Sequence, residues 1–495
     1  MERRQLMEEI INSQVIKELL SKSGDIVMRP LKIGHNGITV YLLGVDGLMN
    51  TFMLDTAVLG PISVDERLRQ CKTEREVMEY LLEGGAFHAF ASEETKSSLL
   101  LRYILSGMAA LIFDEEQKAL LFDVRTFDKR SIMEPTEEGV LKGAKDSFIE
   151  VMRTNTVLIR RRIKSEYLVM EQLNAGKLSK TDITLAYISN IADMNTVNKI
   201  KDVINNLDLD NISTPAFIEE YLIEDKNKNS IFPQIMFTQR PDRVAANLSD
   251  GRVAVIVDGI PFVYMLPCQM VMLMQSPEDY ANHFLIGSSL RILRYLAMIV
   301  TLFLPAFYIA ATTYQIQMLP VQLALSIQQS KHNVPFSSSS EVLALLIAFE
   351  ILIEAGLRLP KSVGTAISIL GGLVVGQSAV AANLISPTVV VIVSLAGIAG
   401  FIVPNQDLSS GIRLARFALA LLASFGGFFG LVVGLIVLIT HLCSLDNYGV
   451  AYMSPFVDIK EGDHKDTLLR FPVKYFKKRP GKIVPENKIK QNKMN

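Results

Sequence analysis

Residues 362–406 form a run of 45 residues without formal charge, and residues 295–330 and 417–445 are also uncharged. A helix needs about 20 apolar residues to cross a hydrocarbon layer roughly 30 Å thick. The longest run is therefore sufficient for two crossings. The mean hydropathy of +0.28 agrees with a chain that places part of itself in lipid.

Formal charge divides the chain into three parts. Residues 1–291 hold 33 basic and 41 acidic side chains, residues 292–445 hold only 6 and 4, and residues 446–495 hold 11 and 6. The total of −1 hides an acidic region, a nearly uncharged region and a basic tail. It offers no global basic field, so we expect no nucleic-acid partner.

The acidic region mixes helical and strand patterns. Apolar periodicity predicts helices in residues 1–20, 65–82, 136–174, 182–207 and 215–223. Turn residues between β-rich runs predict three hairpins, 26–31 with 38–45, 109–113 with 119–124, and 253–257 with 262–266. The charged start lacks a secretory signal, so we expect this region to stay in the cytoplasm.

In the nearly uncharged region we count four strong spans, beginning near residues 292, 363, 387 and 415. Arg413 and Arg416 precede the last span, which places them in a loop. With four crossings that loop lies on the side opposite to the one that the positive-inside tendency favours. If the helix at 342–357 also crosses, the tail ends outside unless residues 417–445 turn back.

Three ionisable residues share one face of the helix at 342–357. Glu350, Glu354 and Arg358 are spaced by four, which brings them together on an α-helix. Ionisable groups at membrane depth usually face a water-filled path or a partner, so a ring of such helices would line a cation-attracting pore. The alternative is an interfacial helix with an ordinary Glu354–Arg358 pair.

Small residues spaced by four form two further stripes. They are Gly364, Ser368, Gly372 and Gly376 in one span and Gly426, Gly430 and Gly434 in another. Such stripes allow close helix packing, either within one subunit or between subunits. The tail from residue 465, with 10 basic and 2 acidic residues, either attracts anionic lipid or is solvated.

The sequence has no recognisable catalytic or metal-binding motif. It has none of the common nucleotide-binding, hydrolase or metalloprotease motifs, and its 3 cysteines and 6 histidines have no ligand spacing. We therefore expect a protein that is not an enzyme and has no cofactor.

Several strings resemble the A subunit of GerA-type spore germinant receptors of endospore-forming bacteria. They include Arg240-Pro241-Asp242, Asp258-Gly259, Gln275-Ser276-Pro277-Glu278-Asp279-Tyr280, Glu354-Ala355-Gly356-Leu357-Arg358 and Ser386-Pro387. The resemblance implies a subunit of a nutrient-sensing complex in the inner spore membrane. Its partners would be a permease-like B subunit and a lipoprotein C subunit, and it would associate with itself into a cation-permeable channel.

We therefore predict an α/β, two-lobed cytoplasmic N-terminal region, a polytopic α-helical membrane domain and a short basic tail. The predicted domains are 1–134, 135–291 including a pre-membrane hairpin, 292–445, and 446–495. Glu350 and Glu354 are expected near the ion path. The family motif residues Arg240, Pro241, Asp242, Asp258 and Gly259 are expected to couple the lobes to the membrane. A non-conducting scaffold for the nutrient-binding subunit is the alternative function.

Overall fold

The computed structural model describes residues 11–33, 37–85, 91–125, 138, 140, 142–212, 214–358, 376–457, 465–476, 478, 479 and 483. The chain forms two compact units. Unit 1 comprises residues 1–223, 235–267 and 478–495, and unit 2 comprises residues 224–234 and 268–477.

Unit 1 contains two five-stranded sheets. The strands of the first are β1 (Ile26–Ile33), β2 (Ile38–Val45), β3 (Ala91–Glu94), β4 (Ala109–Phe113) and β5 (Lys118–Phe122). They lie in the order β1-β2-β4-β5-β3, and every neighbouring pair is antiparallel. The two hairpins predicted here are confirmed.

The second sheet corrects two predicted helices. Its strands are β6 (Leu168–Ala175), β7 (Thr181–Ile188), β8 (Met236–Thr238), β9 (Val253–Val257) and β10 (Val263–Leu266), in the order β6-β7-β9-β10-β8. The helix predicted for 136–174 is confirmed only at Met152–Arg162 and is wrong at its end, where β6 lies, and the first part of the helix predicted for 182–207 is wrong because it is β7. β6 and β7 pair along all eight residues, and this pairing imposes the extended conformation. The local periodicity of the sequence carries no information about such a partner strand. The hairpin of β9 and β10 is confirmed.

Short helices cover the sheets of unit 1. They are α1 (Ser13–Leu20), α2 (Thr51–Val64), α3 (Glu66–Gln70), α4 (Glu74–Tyr80), α5 (Ser97–Ile104), α6 (Met152–Arg162), α7 (Met194–Asn205), α8 (Pro215–Leu222) and α9 (Pro241–Ser249). The single helix predicted for 65–82 is broken, because the Thr73 hydroxyl caps a new helix at Glu74.

The two sheets repeat one connectivity. Each begins with a hairpin, continues through helices to a strand at the far edge, and returns through one helix to a second hairpin. α5 is the returning helix of the first sheet and α9 that of the second. Unit 1 is therefore built from two copies of the same topology.

A buried ion pair joins the two halves of unit 1. Arg160 in α6 donates from Nε and Nη2 to the carboxylate of Asp25, at 2.6 and 2.8 Å, and from Nη1 to the Leu168 carbonyl at 3.0 Å. In the basic cluster at 160–162, Arg162 also has a partner within unit 1, the Asp146 carboxylate.

Unit 2 is mainly helical. Its helices are α10 (Met270–Met274), α11 (Pro277–Ala281), α12 (Phe284–Thr313), α13 (Val321–Lys331), α14 (Ser338–Arg358), α15 (Pro387–Gly400) and α16 (Gln406–Ser444). Among described residues, α12 and α16 are long and apolar enough to cross a membrane. They coincide with the spans predicted near 292 and 415. The span near 387 is the 14-residue α15, and the start of the span near 363 lies outside the described residues.

The helix α16 reverses direction at Gly427. This residue has φ 58° and ψ −138°, a conformation that glycine adopts and other residues avoid. A Cβ at Gly430 would overlap the Leu422 carbonyl, although eight residues of straight helix would separate them by about 12 Å. Residues 406–426 and 428–444 therefore form two antiparallel arms, about 31 and 26 Å long.

Glycines allow the arms to pack closely. A Cβ at Gly434 would lie 2.7 Å from side-chain carbons of both Leu419 and Leu422, in the first arm. Gly430 and Gly434 thus pack within one chain. Gly426 belongs to the same predicted stripe, but a Cβ at this residue would have only Phe429 Cδ1 nearby, at 4.0 Å. A Cβ at Gly376 would make an ordinary van der Waals contact with Val390. Gly364, Ser368 and Gly372 lie outside the described residues.

Replacing Gly430 with alanine is expected to separate the arms, because the new methyl group overlaps a backbone carbonyl that cannot rotate away. We expect a loss of about 1–3 kcal/mol in stability. Circular dichroism of the detergent-solubilised full chain, heated in steps, would show a lower melting temperature. Gly426→Ala is the matched control and should melt like the wild type; equal melting of all three proteins would contradict the packed hairpin.

Candidate functional site

The helix α14 carries the acidic residues that are predicted to lie near the ion path. It is continuous from Ser338 to Arg358, so Glu350 and Glu354 lie one turn apart on one face. Glu354 is exposed. The backbone of Arg358 ends the helix, and its side chain lies outside the described residues.

Glu350 is held by two arginines of the first arm of α16. Arg416 Nη2 donates to Glu350 Oε1 at 2.8 Å, and Arg413 Nη1 lies 3.3 Å from Oε2. The side chain of Arg416 is 0% exposed, compared with 22% for Arg413 and 29% for Glu350. We call these three residues the arginine–glutamate cluster.

The positions of Arg413 and Arg416 correct a prediction from the sequence. They were assigned to a loop before the last span, but both lie inside α16. The positive-inside tendency counts residues in loops, so arginines paired within a helix bundle say little about orientation. Their spacing of three, which puts them on one helix face, was the available signal for a shared acidic partner.

A third acidic residue of α14, Glu341, was missed from the sequence. Glu341 is buried, and its Oε2 accepts a hydrogen bond of 2.7 Å from the backbone N–H of Ser386, just before α15. Its Oε1 lies 3.3 Å from Lys331 Nζ. Two carboxylates of α14 therefore have cationic partners within unit 2.

The tail forms an ordered contact at the start of α12. Asp466 accepts from Arg291 Nη1 at 2.8 Å and from the Tyr280 hydroxyl at 2.7 Å. Arg470 Nη1 donates to the carbonyls of Asp279 and Asn282, at 2.6 and 2.8 Å. We call this set the tail clasp.

The carboxylate of Asp279 lies at the centre of the clasp. It is completely buried and accepts from Arg291 Nε at 3.2 Å and Arg294 Nη1 at 2.8 Å. Ser288 Oγ adds bonds of 3.0 Å to both the N–H and the carbonyl of Arg470. The first residues of the basic tail are therefore packed by specific bonds, rather than only solvated or attracted to lipid.

The segment that follows α16 contacts the 224–234 segment of unit 2. The backbone N–H of Tyr448 donates to Glu224 Oε2 at 3.1 Å. Burial raises the pKa of the Tyr448 phenol, and the nearby Glu224 carboxylate raises it further, so this hydroxyl stays neutral. Among the residues that the structure describes, no cluster of three or more His, Cys, Asp or Glu could hold a metal ion.

The sequence model of a family described as Bacillus/Clostridium GerA spore germination protein matches residues 14–482. This chain belongs to the GerA spore germination protein family. Spore germination protein KA of Bacillus subtilis (strain 168) is 37% identical to it over 478 residues, covering 96% of this chain and 87% of the relative. Spore germination protein B1 of the same organism is 34% identical over 481 residues, covering 97% and 98%.

A solved structure is also similar to part of this GerA-family chain. It is the crystal structure of the N-terminal domain of the A subunit of the Bacillus megaterium spore germinant receptor GerK3, with 28% sequence identity and a TM-score of 0.40. The match covers 52% of this chain and 95% of that one. The resemblance drawn from the sequence motifs is thus confirmed as GerA family membership by the match over residues 14–482.

The motif residues of the GerA-family chain in unit 1 have structural contacts. Arg240 is buried, bonds to Asp242 through Nε and Nη2 at 3.1 and 2.8 Å, and donates to the Glu138 and Ala144 carbonyls. Pro241 occupies the first turn of α9, where its missing N–H costs nothing.

Asp258 and Gly259 form the turn between β9 and β10. Asp258 Oδ1 accepts from the backbone N–H of Met152, at the start of α6, at 3.1 Å. Gly259 has φ +83° and donates its N–H to the Glu150 carbonyl at 2.8 Å. These two residues attach the hairpin to the segment before α6; their role in coupling to the membrane stays a prediction.

Replacing Asp466 with asparagine in this GerA-family chain should loosen the tail clasp, because Arg291 loses a charged acceptor. Hydrogen bonds to charged groups are worth about 1.5–3 kcal/mol, so opening of the segment should become about tenfold or more frequent. Limited trypsin digestion in detergent, followed by mass spectrometry, would show faster cleavage after Arg470. Lys474→Gln, on the exposed part of the same segment, should leave that rate unchanged; cleavage at the wild-type rate in D466N would contradict the clasp.

Proposed function

We propose that this chain is the A subunit of a nutrient-germinant receptor in the inner spore membrane, and that its membrane domain assembles with further copies into a cation-permeable channel. Opening on nutrient sensing would release spore cations and begin germination. Family membership supports the role in germination. The observation that supports conduction is the acidic face of α14 inside an apolar unit, since ionisable residues at membrane depth usually serve transport.

The proposal places Glu350 and Glu354 at the ion path. Glu354 is exposed on α14, and Glu350 is partly exposed beside the two arginines. Carboxylates along a pore attract cations and repel anions. The permease-like B subunit would bind the nutrient, the lipoprotein C subunit would complete the complex, and the two-lobed region would assemble it in the cytoplasm. Membrane lipid would surround the apolar helices.

Neutralising both acids, Glu350→Gln with Glu354→Gln, should slow nutrient-triggered potassium release by about tenfold, which corresponds to about 1.4 kcal/mol. A potassium electrode would measure release from spores, and immunoblotting would show that the variant reaches the spore membrane. The control Glu18→Gln with Glu66→Gln changes the net charge equally on exposed acids of unit 1 and should release potassium normally. Unchanged amount, rate and selectivity in E350Q/E354Q would remove these residues from the ion path.

A non-conducting scaffold for the nutrient-binding subunit is the second candidate. It is favoured by the engagement of both Glu350 oxygens, because paired charges also serve purely structural roles. Liposomes containing the purified full chain, alone and with its partner subunits, separate the two. A scaffold gives no conductance in any state of assembly.

We further propose that the last apolar run crosses the membrane twice. At the tip of the hairpin, the Tyr314 hydroxyl at the end of α12 donates to the Ser424 carbonyl at 2.7 Å. At its base, Gly411 of the first arm lies beside Ile231, and His441 of the second bonds to Ser230 at 3.0 Å. Both ends of α16 are thus at one end of unit 2, which supports an even number of crossings and a cytoplasmic tail.

Cysteine labelling tests this topology. In a chain with Cys71→Ser and Cys268→Ala, the exposed Cys443 should react with an impermeant maleimide in inside-out vesicles, because it lies at the end of the second arm. Adding Cys443→Ser and Ser326→Cys moves the thiol to the exposed face of α13, which should react only in right-side-out vesicles. Labelling of both positions from the same side would overturn the double crossing.

A further inference from the structure

The two arginines of the arginine–glutamate cluster are not equivalent. Arg416 is fully buried and bonds to Glu350 at 2.8 Å, and its Nε and Nη1 have no hydrogen-bond acceptor among the described residues. Glu350 is therefore the compensating charge for a guanidinium that water does not reach. Breaking this bond would leave a buried, unpaired cation, which is strongly unfavourable.

Arg413 is held more weakly and has a second acceptor. Its Nη1 lies 3.3 Å from Glu350, its side chain is partly exposed, and its Nη2 donates to the Ser410 hydroxyl at 2.9 Å. Ser410 lies one turn earlier on the same arm of α16. Arg413 can therefore leave Glu350 while keeping its hydrogen bond to Ser410.

The cluster has two cations and one anion. Departure of Arg413 leaves Glu350 and Arg416 as a neutral pair, so the buried part of the cluster stays balanced. It also frees Glu350 Oε2, the oxygen that faces Arg413, while Oε1 remains bonded to Arg416. The two arrangements of the cluster differ in one partly exposed ion pair. Conformational switches depend on such small differences in free energy between two states.

We propose that Arg413 is the releasable half of a gate lock on the proposed ion path, and that Arg416 is its fixed half. With Arg413 bound, the two arginines and one glutamate carry a net positive charge, which repels cations. With Arg413 away from Glu350 and held by Ser410, the remaining Glu350–Arg416 pair is neutral and one carboxylate oxygen faces the path. The inference rests on the proposed channel function and assigns Arg413 and Arg416 as positioning residues that act through Glu350.

The test compares Arg413→Gln with Arg416→Gln in the purified full chain. Potassium flux into liposomes, measured without nutrient by a potassium-sensitive dye, reports the lock. Melting followed by circular dichroism in detergent reports folding. R413Q should melt like the wild type and leak about fivefold or more, the lower end of typical coupling between sites. R416Q should melt at a lower temperature, and R413K should restore low flux.

Two further variants sharpen the result. Arg153→Gln removes an exposed arginine of unit 1 and should change neither readout. Ser410→Ala removes the second acceptor of Arg413 and should reduce potassium flux through the receptor opened by nutrient, an effect that a merely structural arginine would not produce.

If R413Q showed the same potassium flux without nutrient as the wild type, the lock would be overturned and the channel proposal would stay intact. The same conclusion would follow if R413Q and R416Q lowered the melting temperature equally. A receptor that carries no current in any state, with R413Q equally silent, would overturn the channel proposal and the lock with it.

Discussion

The burial of Arg416 is the constraint on which the membrane unit depends. A guanidinium cannot be placed among apolar helices without a carboxylate nearby, and Glu350 on α14 is that carboxylate. The pair therefore sets which faces of α14 and the first arm of α16 can meet. Apolar packing among α12, α14, α15 and α16 supplies the bulk of the stabilisation, but the hydrophobic effect has no direction of its own. The ion pair gives the packing one register.

Part of this arrangement could be predicted from the sequence. The spacing of Glu350 and Glu354 places them on one helix face, and that required only the helical period. Their partners could not be found in the same way, because Glu350 and Arg416 are brought together by tertiary packing. The turn at Gly427 lies in the apolar string Gly426-Gly427-Phe428-Phe429-Gly430, which has no polar turn residues. One backbone conformation, and no change in hydropathy, reverses the chain.

In the lobes of unit 1, too, features that depend on neighbouring residues could be predicted, whereas features that depend on residues far apart in the sequence could not. Hairpins such as β1–β2 and β9–β10 were predictable because their turn residues lie next to the strands. β6 was mistaken for a helix because its extended form depends on β7 and, through it, on β9. Arg160 stands in a basic string of the sequence, but its partner Asp25 is 135 residues away. Charge counts describe a surface well and a buried pair poorly.

The repeated strand order of unit 1 has an evolutionary consequence. Two sheets of the same connectivity are what duplication of one module, followed by divergence of the copies, would produce. In the first copy, the connection from α4 to β3 belongs to unit 1, and in the second, residues 223–235 make the corresponding connection to β8. Most of that second connection, residues 224–234, has become part of unit 2. Two equivalent connections of one repeated topology thus belong to different compact units of the chain.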